Sequence, residues 1–173
     1  MSTRIVYMVL TASTLMLLQS CASQGKGYTF GSNFDTSIRS IAIPIFANET
    51  FERGIELQFT ESLNKQIRAR TPWALVNSDR ADTTLVGVIT NTGLSEVSRA
   101  PRTGLVQEQA VRVTVRFEWR DNRTGEILVA RSNFSATSTF VPQRGIAERY
   151  EHGQREAIEE LATDLISQLR ENW

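Results

Sequence analysis

From Val111 to Arg120 the chain alternates strictly. The odd positions are Val111, Val113, Val115, Phe117 and Trp119, and the even positions are Arg112, Thr114, Arg116, Glu118 and Arg120. A two-residue period predicts a β-strand with one dry face and one wet, basic face. Asp121-Asn122-Arg123-Thr124-Gly125 reads as a hairpin connection, with Gly suited to a left-handed position, and Glu126 to Thr139 as the returning strand. Two apolar stripes of helical period are available to cover the dry face. Ile55, Phe59, Leu63 and Ile67 recur every four residues up to Arg70, before Thr71-Pro72, and Asn48-Glu49-Thr50 offers N-cap oxygens and an acidic first turn. Tyr150, Ala157, Ile158, Leu161, Ala162, Leu165, Ile166 and Leu169 form the second stripe, in a helix that begins after Pro142.

Two more strands complete the pattern. Arg39 to Phe46 places Ile41, Ile43 and Ile45 on one face, and Pro44 puts this strand at a sheet edge or lies near its end. A short stretch, Trp73 to Val76, leads through Asn77-Ser78-Asp79 to Thr83–Thr92, which reads as a strand partly covered on both faces. Ser95 to Gln107, with Pro101, Gly104 and two Arg, reads as a long polar connection. The order β-α-β-β-β-α predicts an α+β two-layer sandwich, its two helices packed on one face of a four-stranded, mostly antiparallel or mixed sheet.

The N-terminus reads as a targeting segment. Arg4 supplies a short basic n-region, and Ile5 to Leu18 carries no charge. Fourteen residues fall short of the roughly 20 needed to span a hydrocarbon core of about 30 Å, and fit the h-region of a secretory signal. Leu18-Gln19-Ser20-Cys21 follows and looks like the lipobox of a bacterial lipoprotein, with Gln19 departing from the small or aliphatic residue usual there. In lipoproteins the chain is cut before the Cys, which is then acylated. Cys21 is the only cysteine of the chain. Acyl chains, at about 0.8 kcal/mol per buried CH₂, make such an anchor effectively permanent. Ala22 is not the Asp of the enteric retention rule, which implies outer-membrane sorting. Residues 1–20 are thus expected to be the lipoprotein signal peptide, 21–36 the acylated Cys and flexible tether, and 37–173 a single α/β domain.

Composition narrows the chemistry. The 173 residues carry 19 Lys+Arg against 19 Asp+Glu, with one His and one Cys. Balanced charge argues against a general nucleic-acid binder. One Cys and one His disfavour a disulfide framework and a zinc centre. His152 has no positioned nucleophile to activate and reads as a surface side chain. Glu156, Glu159, Glu160 and Asp164 read as a solvated helix face, and Gly25-Lys26-Gly27 as linker. No enzyme, metal or cofactor is expected. One asymmetry stands out: residues 97–132 hold Arg99, Arg102, Arg112, Arg116, Arg120, Arg123 and Arg131 against Glu108, Glu118, Asp121 and Glu126. The guanidinium fork suits phosphate or carboxylate, so Arg99, Arg102, Arg112, Arg116 and Arg120 are candidate anion-binding residues. A solvated sheet face with cross-strand ion pairs is an equally weighted reading.

Several segments together resemble the LptE family of lipopolysaccharide-assembly lipoproteins, in its divergent, non-enteric branch. These are Gly27-Tyr28-Thr29-Phe30 after the lipobox, Ser40-Ile41-Ala42-Ile43-Pro44-Ile45-Phe46-Ala47-Asn48-Glu49-Thr50, Glu56-Leu57 with Thr60-Glu61-Ser62-Leu63, Ala81-Asp82-Thr83-Thr84-Leu85-Val86-Gly87, and Arg123-Thr124-Gly125-Glu126-Ile127-Leu128. The resemblance implies a non-enzymatic plug and folding partner of the large β-barrel LptD. Such a plug binds lipopolysaccharide through basic residues and assists its insertion into the outer leaflet, lipid-anchored on the periplasmic side of the outer membrane and in the barrel lumen. A second reading, from another class, is an envelope lipoprotein of similar fold that regulates a peptidoglycan synthase or a secretion channel.

Overall fold

The computed structural model describes residues 38–171, apart from 100, 103–105 and 142–145. The expected signal peptide, Cys21 and tether lie outside the described residues. The strands are β1 (Ser40–Ala42), β2 (Ala47–Asn48), β3 (Ala74–Leu75), β4 (Thr83–Arg99), β5 (Val106–Asp121) and β6 (Ile127–Phe140); the helices are α1 (Ile55–Arg70) and α2 (Ile146–Glu171). They form one mixed sheet in the order β3-β1-β4-β5-β6, with β2 also paired to β4. β4, β5 and β6 form an antiparallel meander, while β1 and β2 run parallel to β4 and β3 runs parallel to β1. The α+β class is as expected, but the sheet has six strands, not four.

The alternation in β5 translates directly into burial. Val111, Val113, Val115, Phe117 and Trp119 are buried, joined by Leu85 and Ile89 from β4 and Val129 and Ala136 from β6. Ile55, Phe59, Leu63 and Ile67 of α1, with Ala157, Ile158, Leu161, Leu165, Ile166 and Leu169 of α2, close the same core. Both helices cover one face, and the other is left open.

Three readings are corrected. The strand Arg39–Phe46 is broken at Pro44, which cannot donate to a ladder. Ile41 is buried, but Ile45 is exposed and Phe46 turns inward in its place, edge-on to Phe59 at 5.0 Å between ring centroids. Helix α1 begins at Ile55 after Gly54 (φ 87°), with no side-chain cap, so Asn48 and Thr50 do not cap it. The polar connection 95–107 is largely strand: β4 runs on to Arg99 and β5 starts at Val106. The hairpin after β5 is as expected, with Gly125 at φ 75°.

The segment Ala81–Gly87 staples β1 to the meander. The Asp82 carboxylate accepts from the Arg39 and Ser40 amides, each at 3.0 Å, and from Ser40 Oγ at 2.9 Å, while the Asp82 amide donates to Ser40 Oγ at 2.9 Å. Backbone donation from Arg39, with the Ser40 hydroxyl, holds this carboxyl below its ordinary value of 3.8. Hydrogen bonds to the Asp121 carboxylate from the Arg123 guanidinium and backbone lower its value too. A depressed native pKa contributes stability that is present above the unfolded value and lost as pH falls through the folded one. Urea midpoints are therefore expected to fall below about pH 4, and Asp82→Asn, which keeps an acceptor and loses the charge, to flatten that acid limb. An unchanged acid limb in the variant would remove Asp82 from the account.

The ladder between β5 and the edge strand β6 is irregular in its first half. Ser132 and Asn133 together oppose Arg116, and Leu128 is inserted between the residues paired with Arg120 and Trp119. Both are bulges in the edge strand.

Candidate functional site

Because β5 alternates, its even residues project from the face that the helices leave bare. Arg112, Arg116 and Arg120 are exposed there, four residues apart and so separated by about 13 Å each along the strand. Thr84, Val86 and Val88 of β4, on one side, and Ala130 of β6, on the other, share this face by register. Around the middle of the row lies a shallow basin of about 400 Å³. Its apolar lining comes from Val86, Val88 and Ala130, and Arg116 and Arg131 stand at its sides with Glu118 and Ser132. An apolar floor between guanidinium groups can hold an amphiphilic anion, chain against floor and phosphate against Arg.

The arginines are not equivalent. Arg116 meets Glu49 at 3.4 Å, and Arg120 pairs with Glu118 on its own strand. All four side chains are substantially exposed, and such pairs contribute little and exchange readily. Among the described residues no ion pair to Arg112 is found. The even positions of β5 thus carry Arg112, Arg116 and Arg120 against Glu108 and Glu118, and Glu49 reaches Arg116 from outside the strand.

Arg99 and Arg102 do not join this row. Arg99 ends β4 in register with Val106 and is paired with Glu96, and Arg102 is exposed in the turn beyond it. Arg112 lies opposite Gly93, so Arg99 is about 20 Å further along the ribbon. Local charge counting joined residues that the strand separates. It also missed Arg131 as a site residue. Parity gave no signal for Arg131: it lines the basin, yet the register pairs it with the buried Phe117.

The helix layer is opposite in sign. Glu156, Glu159, Glu160 and Asp164 are exposed on α2. Glu156 accepts from Ser138 Oγ at 2.8 Å, and Glu159 meets Lys65 of α1 at 3.4 Å. His152 lies on this exposed surface, 3.6 Å from Glu156. Among the described residues no three His, Cys, Asp or Glu side chains are grouped to hold a metal ion. Nor is any helix there long and apolar enough to cross a membrane.

Fold and surface together define a two-layer α/β domain with an open, arginine-bearing sheet face. Residues 38–172 match the family model LptE, lipopolysaccharide-assembly, and the chain belongs to that family, one of non-enzymatic lipoproteins. No curated protein matches the sequence. Among solved structures, a hypothetical protein from Chlamydia trachomatis is 9% identical with a TM-score of 0.58, covering 77% of this chain and 96% of its own. A protein from Xanthomonas campestris is 9% identical with a TM-score of 0.55, covering 78% and 85%. A minor lipoprotein from Acinetobacter baumannii is 17% identical with a TM-score of 0.49, covering 79% and 95%. At these identities the first two show a shared fold.

Proposed function

We propose that this chain is an outer-membrane lipoprotein, acylated at Cys21, that acts as plug and folding partner of an LptD-type β-barrel. In this role it helps place lipopolysaccharide in the outer leaflet. The observation that carries the reading is the open sheet face of a lipopolysaccharide-assembly family member, with Arg116 and Arg131 at an apolar basin and Arg112 and Arg120 exposed further along the same strand as Arg116. The helices cover one side of the sheet, which leaves the other free to meet a barrel wall or a ligand. Phosphorylated lipid suits the basin, because its charge meets guanidinium groups and its chain an apolar floor.

Affinity purification of the tagged, full-length protein from detergent-solubilised envelopes tests the partnership. A large outer-membrane β-barrel recovered in near-equal amount is the expected outcome; recovery with a peptidoglycan synthase, or alone, would sink it. The ligand has its own test. Arg112→Glu, Arg116→Glu and Arg131→Glu combined should weaken lipopolysaccharide binding at low salt about tenfold or more, by loss of charge-assisted contacts. The difference should shrink as salt screens the face. Arg99→Glu with Arg102→Glu should do less, since that pair lies at the ribbon tip. Equal effects from both sets would reduce the site to overall charge.

A further inference from the structure

Phe51 is the most exposed large apolar side chain among the described residues, at 105% relative accessibility. It sits in the loop from β2 to α1, which is hydrogen-bonded at Glu49, Thr50, Glu52 and Gly54. Asn48 Oδ1 accepts from the Thr50 amide at 2.8 Å and the Thr50 hydroxyl at 2.7 Å. Asn48 Nδ2 donates to the Glu52 carbonyl at 2.6 Å and to Glu56 Oε2 at 2.9 Å. The Glu56 carboxylate accepts from the Gly54 amide at 3.1 Å, and the Glu49 amide donates to the Ile89 carbonyl at 3.0 Å. Across the layers, Tyr150 and Gln154 of α2 both donate to the Glu52 carboxylate.

Such a network gives Phe51 no burial in return for its ordering. A rigid loop that holds an aromatic ring in water has already met the ordering cost that binding would otherwise impose, and aromatic anchors dominate interface energetics. The charges around the ring select the partner. Glu49, Glu52 and Glu56 outnumber Arg53 in the loop and the first turn of α1, whereas segments that bind anionic lipid surfaces are rich in Lys and Arg. The loop is also continuous with the open face, because the Glu49 side chain reaches Arg116 there.

We propose that loop 49–54 is a docking knob that seats the Phe51 ring in an apolar, basic-rimmed pocket of a partner protein. The knob stands at the rim of the arginine-bearing face and acts together with it. This inference rests on the reading of that face as a docking surface, and not on which protein supplies the wall.

The test replaces Phe51 with p-benzoylphenylalanine in the full-length chain, irradiates intact envelopes, and identifies adducts by mass spectrometry, with the same probe at exposed Glu160 as control. A companion Phe51→Ala chain is purified from solubilised envelopes. The expected result is one protein adduct specific to position 51 and about tenfold less of that protein recovered with Phe51→Ala, whose melting temperature stays unchanged. An adduct with a β-barrel supports both readings, and one with another protein supports the knob while removing the barrel. A barrel that copurifies normally with no adduct at position 51 overturns the knob and leaves the plug standing. Adducts only with lipid or a second copy, or undiminished recovery with Phe51→Ala, also overturn it.

Discussion

Gly87→Ala is expected to destabilise the domain by about 3 kcal/mol, at the upper end for forced overpacking. A Cβ at that position would stand 2.2 Å from Phe46 Cε1 and 2.7 Å from the Arg116 carbonyl oxygen. One obstacle is a ring from the segment between β1 and α1, the other the backbone of β5, so no single rotamer change relieves both. The site is crowded because Phe46 turns inward over β4 where Pro44 has interrupted the first strand. For a domain of this size the loss corresponds to a fall in melting temperature of roughly 10 °C. Phe46→Leu in the Gly87→Ala background should recover part of it, because the Arg116 carbonyl remains in the way, and the two changes should be non-additive. Gly93→Ala is the control: its Cβ would meet only Asn91 Nδ2, at 3.7 Å. Equal losses at Gly87 and Gly93 would show that strand propensity, not contact with Phe46, is responsible.

Trp119→Ala should have a larger effect, about 4 kcal/mol, in the range for truncating a buried aromatic residue. Trp119 is fully buried, and its ring lies 5.2 Å from Trp73 at a tilt of 44°. Trp73 immediately precedes β3, which contributes only Ala74 and Leu75 to the sheet. Removing the Trp119 ring therefore opens a cavity and also frees the edge that Trp73 holds. Chemical denaturation monitored by near-ultraviolet dichroism should show the lowered midpoint together with loss of Trp73 asymmetry before global unfolding. Trp119→Phe should retain more than half of the stability lost in the alanine variant. A cost under about 1 kcal/mol for Trp119→Ala would contradict the packing described here.

How far the sequence could be read depended on where water lies. β5 was legible because one face is dry along its length, so side-chain chemistry repeats with the backbone pleat. Both helical stripes were legible for the same reason. The far part of β4 was not: Ser95, Glu96, Val97 and Arg99 are all exposed, and backbone pairing continues there without apolar side chains to mark it. β2 and β3, of two residues each, are too short to show any period. Asn48 was singled out with its neighbours as a cap because Asn favours both caps and turns. Its side chain instead organises the loop of which Phe51 is the tip. At the candidate surface, the row Arg112, Arg116, Arg120 could be read from parity alone, whereas the basin is built across three strands, one of them bulged beside Arg131, and no single-strand pattern marks it.

Those bulges bear on how the chain survives before it meets a partner. β6 is 14 residues long, contains no proline, and has Arg131 as its one charged side chain, a composition that invites zippering with another copy. An intruding strand needs an unbroken comb of amide and carbonyl groups at constant spacing. The irregularities at Leu128 and at Ser132–Asn133 break that comb in the first half of the strand and leave Phe134–Phe140 in unbroken register. Geometry thus guards the half of the edge that follows the hairpin, and the regular half is the stretch a second strand would have to use.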